Sequence, residues 1–268
     1  MSGIGAYMLI TRLSIIICFT ALLSVHAHAQ QCQQVRINGG VSWFPFFYQG
    51  KYQEHGIIGD IVVEASKRLS IHPQIIAPTP WKRTLLMLKK GYIDIVAGAI
   101  KTKKRAREFQ FSDSLITTQL RVIVRKDKQF LFKSIKDLKG REGLKIRGHS
   151  LGNTHDDYAQ RNLIIKEVHD LSSILKMLVA HRADYGIYEI HGALHHIKHL
   201  NLDNQLTILE HALSEEAIFI AFSKNSECSN KANKFFKVFN EMKRDGSIGQ
   251  IQEHYRLITS ASAGIGNE

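Results

Sequence analysis

Residues 80–113, PWKRTLLMLKKGYIDIVAGAIKTKKRAREFQFSD, set a helix, a buried strand and a second helix start in immediate succession. Thr79 can cap the first helix, whose opening turn tolerates Pro80. Trp81, Leu85 and Leu88 fall at i, i+4 and i+7 and give it one apolar face. Lys89 and Lys90 suit the negative end of the helix dipole, and Gly91 can take the left-handed backbone that ends it. Residues 93–99 are apolar, small and β-branched, fit for a buried strand. Thr102 can cap the next turn, so backbone N–H groups and Arg105 converge at that strand's carboxyl end. Small ligands sit at such ends in open α/β sheets. A carboxylate there would meet a guanidinium fork and a helix N-terminus together. Taken alone, Arg105 is equally one more solvated cation of a Lys/Arg-rich loop.

The length of 268 residues allows one or two domains, and 44% hydrophobic with 22% charged residues is an ordinary globular balance. Arg12 followed by the apolar residues 13–25 and by Ala27-His28-Ala29 reads as a secretory leader, residues 1–29, cleaved after Ala29. The run is short for a membrane span, and no other stretch approaches the ~20 apolar residues a span needs. Cys18 lies within the leader, which leaves Cys32 and Cys228, an even count that favours a Cys32–Cys228 disulfide in an exported chain. The leader carries Arg12 and no acid, so the formal charge of +12 becomes +11 on cleavage. Lys and Arg are dispersed along the chain and no nucleic-acid motif accompanies them, so nucleic acid is not expected as a partner.

Residues 35–38 read as a first strand ended by Gly39-Gly40, and residues 42–48, SWFPFFY, as an aromatic loop that must pack on something. Asp60 is expected to cap a helix through Leu69 with Ile61, Ala65 and Leu69 on one face. Residues 75–77, 120–125, 144–147 and 163–168 read as strands, and Ser134 with Asp137 as a capping-box start of a short helix. The turn Gly148-His149-Ser150-Leu151-Gly152 matches G-x-S-x-G, but the surrounding pattern lacks the long central sheet and ordered acid and His partners of a serine hydrolase. Residues 170–180 form an amphipathic helix, and residues 183–189, ADYGIYE, repeat the earlier order of helix, acid and strand. His191, His195 and His199 share a helix face, with His196 adjacent, yet no Cys or carboxylate pattern supports a closed site; no metal and no cofactor are expected. Residues 205–210 and 217–222 are the final strands, with the return crossing at 212–216. A helix over 230–245 turns Phe235, Phe239 and Met242 inward, a second covers 247–255, and residues 259–268 are a disordered tail.

The order Leu88, Gly91, Asp94, Thr102, Arg105, Phe111, Ser112 resembles the signature of the periplasmic solute-binding proteins of amino-acid ABC transporters, the family 3 or type II clamshell proteins. The ending DGSIGQIQEHY, residues 245–255, resembles that family's C-terminus, and Trp81 with Arg83 mark a divergent subgroup. The family's F-S-x-P-Y crossing lacks its Pro and Tyr here, and Ile100 stands where a Ser or Thr often touches ligand. The resemblance implies an α/β, two-lobe periplasmic-binding-protein type II fold with a double crossover hinge. Lobe 1 would be residues 33–115 plus 220–256, and lobe 2 residues 118–215.

It further implies that Arg105 clamps a ligand carboxylate, that Ser150 adds a hydroxyl, and that Glu189 holds an ammonium. Trp43 and Trp81 would wall the pocket, with Thr102, Arg83, Arg147 and His149 close by; Phe46 is the alternative to Trp43. Without the family, Ser150 reads as a helix cap, Glu189 as a helix-start carboxylate, and Trp43 as part of an apolar cover over the sheet edge. The implied protein is a periplasmic monomer that takes an amino acid or related carboxylate to an inner-membrane ABC permease. Two rivals share the fold: a sensory binding protein signalling to a membrane receptor, and an exported cyclohexadienyl dehydratase using His149 and Glu189 as acid and base.

Overall fold

The computed structural model describes residues 32–40, 43–49 and 55–264; the expected leader at 1–29, Cys18 included, and the last four residues of the expected tail lie outside them. Strand β1 (Gln34–Asn38) lies between β2 (His72–Ile75) and β3 (Ile95–Ile100) in parallel, with Ile37 opposite both Ile75 and Ile95. Helices α1 (Gly56–Arg68) and α2 (Trp81–Lys90) make the crossovers that parallel pairing requires. The short helix α3 (Lys103–Glu108) leads into β4 (Phe109–Phe111), and β5 (Ile116–Arg125) follows. Strands β6 (Glu142–Ile146), β7 (Ile164–Val168) and β8 (Tyr185–Glu189) repeat the parallel arrangement, with β6 central and helices α4 (Asn153–Asn162) and α5 (Leu171–Val179) as crossovers. Helix α6 (Ile190–His199), β9 (Leu206–Ile208), β10 (Ser214–Ser223), α7 (Ala232–Arg244) and α8 (Ser247–Gly264) complete the chain.

The sheet order is β2-β1-β3-β10-β5-β8-β6-β7, with β4 on β10 and β9 on β5. The two central strands are antiparallel and each is ten residues long. One part of β5 pairs with β10 and the rest with β8 and β9; β10 likewise pairs with β5 at its start and with β3 and β4 further on. The chain therefore crosses the sheet twice inside continuous strands. This differs from the expectation of strands at 120–125 and 217–222 with a separate crossing at 212–216. Thr117, Thr118 and Ala217 tolerate extended backbone, and cross-strand pairing removes the need for a loop.

Other boundaries shift for local reasons. Helix α1 begins one turn earlier than Asp60, which is no cap: its carboxylate accepts from the His55 backbone N–H at 3.2 Å and from the Tyr255 hydroxyl. Pro80, not Thr79, stands at the N-cap of α2, and the Thr79 hydroxyl bonds that of Thr84 at 2.6 Å. Gly91 does end α2 in the left-handed region, φ 77°. Helix α8 continues past Thr259 to Gly264, through alanines of high helix propensity. Phe235, Phe239 and Met242 are buried as their spacing implies, each worth ~2 kcal/mol of transfer free energy. Cys32 and Cys228 are both disulfide-bonded. Among the described residues no helix is long and apolar enough to cross a membrane.

Candidate functional site

The carboxyl end of β3 delivers the first site group. The Thr102 hydroxyl accepts from the Arg105 backbone N–H at 3.1 Å, and this cap turns the chain so that the Arg105 side chain folds back under the strand end. Its guanidinium donates to the Ile100 carbonyl at 2.7 Å and to the Gly148 carbonyl at 3.0 Å, and lies 5.6 Å from the Trp81 ring. Arg105 is 8% exposed and makes no ion pair among the described residues. Burial lowers its pKa to about 10, against a smaller opposing pull from Asp156, so it stays charged at neutral pH. A buried cation whose acceptors are neutral carbonyls is strongly anion-seeking.

The carboxyl end of β8 delivers the opposite charge. Glu189, 4% exposed, caps α6 by accepting from the His191 and Gly192 backbone N–H groups, each at 2.9 Å. The Thr118 hydroxyl donates to Oε1 at 2.6 Å and the Trp43 indole N–H to Oε2 at 3.2 Å. The two oxygens thus hold four donors, about the capacity of a carboxylate.

Both indoles span the sheet halves. Trp43 reaches Glu189 from the loop after β1, and the Trp81 N–H donates to the Gly148 carbonyl at 3.1 Å. Gly98 makes room: a Cβ there would sit 2.6 Å from the Trp43 ring, and its φ of 105° favours glycine independently. Phe44 stacks on His195 at 4.0 Å, and the Lys103 N–H donates to Asn153 Oδ1 at 2.9 Å, adding two more links between the halves. The loop 43–47 therefore acts as a cover over the strand ends, and Phe46 is buried in it.

These groups surround a cavity of about 160 Å³, room for about five waters at liquid density. Arg105, Trp43, Trp81, Ser150 and Glu189 all line it. Ser150 sits in the turn before α4; its hydroxyl donates to the Asp156 carboxylate and accepts from the Gly152 N–H at 3.1 Å, so it is fixed at the cavity wall. His149 lines the cavity between Trp81, edge-on at 5.6 Å, and Tyr188, stacked at 5.8 Å. Desolvation, helped by the Arg105 and Lys145 charges, lowers its pKa to about 3, so the ring is neutral at pH 7. Tyr188 is pushed up by burial first and then by Glu189 and Asp170.

Three other expected residues lie elsewhere. Arg83 and Arg147 are exposed and outside the cavity lining: Arg83 falls on the solvent side of α2, and Arg147 points away one residue before the turn. Thr102 is buried and acts through the cap it gives Arg105. Sequence reasoning passed over Thr118, Tyr188 and Asp170 as site residues. Tyr188 sat inside a strand pattern, and Thr118 lay just ahead of the strand expected at 120–125. Asp170 read only as the first residue of the helix expected over 170–180; it caps that helix by accepting from the Ser173 N–H at 2.7 Å. On α6, the His196 ring bonds the Gly192 carbonyl at 3.0 Å, and no group of three or more potential metal ligands occurs among the described residues.

Residues 35–257 match the model of the bacterial extracellular solute-binding proteins, family 3, and the chain belongs to that family. It is 24% identical over 214 residues to the L-cystine-binding protein TcyA of Bacillus subtilis, covering 79% of this chain and 76% of that one. It is 29% identical over 175 residues to the arginine-binding extracellular protein ArtP of the same organism, covering 63% and 65%. An ancestral arginine-binding protein bound to arginine superposes with a TM-score of 0.71 at 24% identity, over 83% of this chain and 98% of that chain. The fold is accordingly the two-lobe α/β fold of periplasmic binding proteins, with the double crossover in β5 and β10.

Proposed function

We propose that this is an exported binding protein that closes on a single small amino acid or related carboxylate and delivers it to an inner-membrane ABC permease. The observation that carries the reading is Arg105: a buried guanidinium, held by two carbonyls and free of any carboxylate among the described residues, lining the cavity. A ligand carboxylate supplies the missing counter-charge, and the fork geometry favours a planar anion. Lobe 1, residues 33–115 plus 220–256, and lobe 2, residues 118–215, would rotate about the segment where Ile116–Leu120 of β5 pairs with Ser214–Ile218 of β10. Trp43, Trp81 and Arg105 then make their bonds to Glu189 and Gly148 on closure. The leader cleaved after Ala29 accounts for export, and the ligand-loaded monomer docks on its permease.

The two candidate acid–base groups support binding over elimination. A neutral His149 with a pKa of about 3 is a poor base and no acid at neutral pH, and Glu189 has its lone pairs occupied. The test is thermal unfolding of the chain against the amino acids and small carboxylates. A ligand at ~100 times its Kd adds about 2.7 kcal/mol and moves Tm by several degrees. The expected result is a shift with at least one amino acid that Arg105→Ala abolishes; the reading fails if no carboxylate moves Tm, or if the variant responds like wild type.

A further inference from the structure

We propose that residues 126–141, which join β5 to β6, are a docking surface for an anionic lipid bilayer, with Leu131 entering the lipid and the cations around it resting on the phosphates. The segment reads KDKQFLFKSIKDLKGR. Lys126, Lys128, Lys133, Lys136, Lys139 and Arg141 are set against only Asp127 and Asp137, so 16 of the 268 residues carry +4 of the formal +12. The five lysines are all exposed, and none of the six cations makes an ion pair among the described residues. Both acids are engaged within the chain. Asp127 lies 3.4 Å from the Arg125 guanidinium, and the Asp137 carboxylate accepts from the Lys133 and Ser134 backbone N–H groups at 2.8 Å each. The cations are therefore left to an external anion.

The apolar residues of the segment divide by depth. Phe132, Ile135 and Leu138 are buried in one core cluster with Val122, Val124 and Tyr185. Phe130 is half-buried, with the Arg141 guanidinium 3.8 Å from its ring centre. Leu131, between the two phenylalanines, is 77% exposed, the most exposed large apolar side chain among the described residues. Folding does not explain that exposure, because its neighbours are anchored and the Asp137 carboxylate ties down the backbone just beyond it. An apolar tip among unpaired cations matches the bilayer interface: the tip enters the acyl boundary, and ammonium groups on long stems stay at headgroup level. An acidic protein surface would answer the cations alone. None of these residues lines the cavity, so the inference stands independently of the amino-acid reading. One apolar side chain and a few lysines give weak, reversible attachment, which would hold the protein on the bilayer that carries its membrane partner.

The test is co-sedimentation of residues 30–268, which contain the whole described fold, with vesicles of phosphatidylglycerol and phosphatidylcholine in equal parts, beside vesicles of phosphatidylcholine alone. Wild type is expected on the anionic vesicles only, and raised salt should release it. Lys128→Gln/Lys133→Gln/Lys136→Gln should weaken binding about 100-fold, the combined effect of three lysines at an anionic surface. Lys166→Gln/Lys176→Gln/Lys234→Gln removes the same charge from exposed positions elsewhere and should stay within ~3-fold of wild type. Leu131→Ser keeps every charge and should lose about tenfold. The exposed positions leave the fold intact, which an unchanged Tm of each variant checks. The inference is overturned if wild type shows no preference for the anionic vesicles, if the two triple variants lose equally, or if Leu131→Ser binds like wild type. Wild type that ignores the vesicles yet binds poly-L-glutamate through Lys128, Lys133 and Lys136 would assign the surface to an acidic protein and overturn the lipid reading.

Discussion

The two halves of the sheet are built on the same small device and finish it with opposite charges. In the first half Asp94 precedes β3: its N–H donates to the Arg36 carbonyl at 2.9 Å and its carboxylate accepts from the Arg36 N–H at 2.7 Å. In the second half Asp184 precedes β8, its N–H donating to the Glu142 carbonyl and its carboxylate accepting from the Glu142 N–H, each at 2.8 Å. Each acid thus pins a strand to the neighbouring parallel strand of its own half. Beyond the strands the halves diverge. After β3 a threonine caps α3 and Arg105 turns inward; after β8 Glu189 caps α6 itself. The devices differ in depth too: Asp94 is fully buried and also holds the Arg36 guanidinium at 2.9 Å, whereas Asp184 is exposed. One scaffold therefore offers a cation on one wall of the cavity and carboxylates on the other, as a zwitterionic ligand requires.

Breaking the charged end of the first half should cost most. Arg105→Ala is expected to lose about 4 kcal/mol of ligand binding, the range for truncating one partner of a buried charge pair, read by calorimetry; a loss near zero would mean that the guanidinium serves only the fold. Removing the pin of the first half comes next. Asp94→Ala should lower unfolding free energy by about 3 kcal/mol, the low end for a broken buried pair because Arg36 is one-third exposed, as measured by urea denaturation. A value matching that of Asp184→Ala would dissolve the contrast between the halves.

The cavity between them predicts an acid sensitivity. His149 titrates near 3 when folded against 6.5 as its ordinary value, so the unfolded chain binds more protons between those pH values. Its contribution is present above pH 6.5 and is lost as pH falls. Between pH 7.5 and 5 the loss from this residue is about 2 kcal/mol, and His149→Gln should flatten the slope of stability against pH by that amount. An unchanged slope would place the imidazole in water. The smallest effect is expected at the second pin: Asp184→Ala should cost about 1 kcal/mol, one exposed hydrogen bond, in the same urea series.

Much of this was legible in the chain. The periodicity of residues 81–88, the glycine at 91, the cap at Thr102 and the family pattern around Arg105 all describe local geometry, which short sequence windows encode. The cysteine count was likewise sufficient for the disulfide. What escaped was set by partners distant in sequence. Nothing near Glu189 announces that Thr118 and Trp43 will fill its remaining lone pairs, since those contacts exist only once the two long strands are paired. Asp170 showed its place at a helix start because helix periodicity is local, and hid its place in the cavity because that depends on β6, β8 and α6. Arg83 and Arg147 looked like site cations by proximity to site residues, but one helical step and one strand alternation turn them to solvent.

The most direct test of the central claim, that Arg105 receives a carboxylate, changes the ligand rather than the protein. An amino acid that stabilises the chain would be titrated against its own α-amide, which keeps the ammonium and side chain but removes the anion. Saturable binding of the acid is expected, with at least ~100-fold weaker binding of the amide, as for loss of a buried charge partner. An amide that binds within ~3-fold of the acid would contradict it.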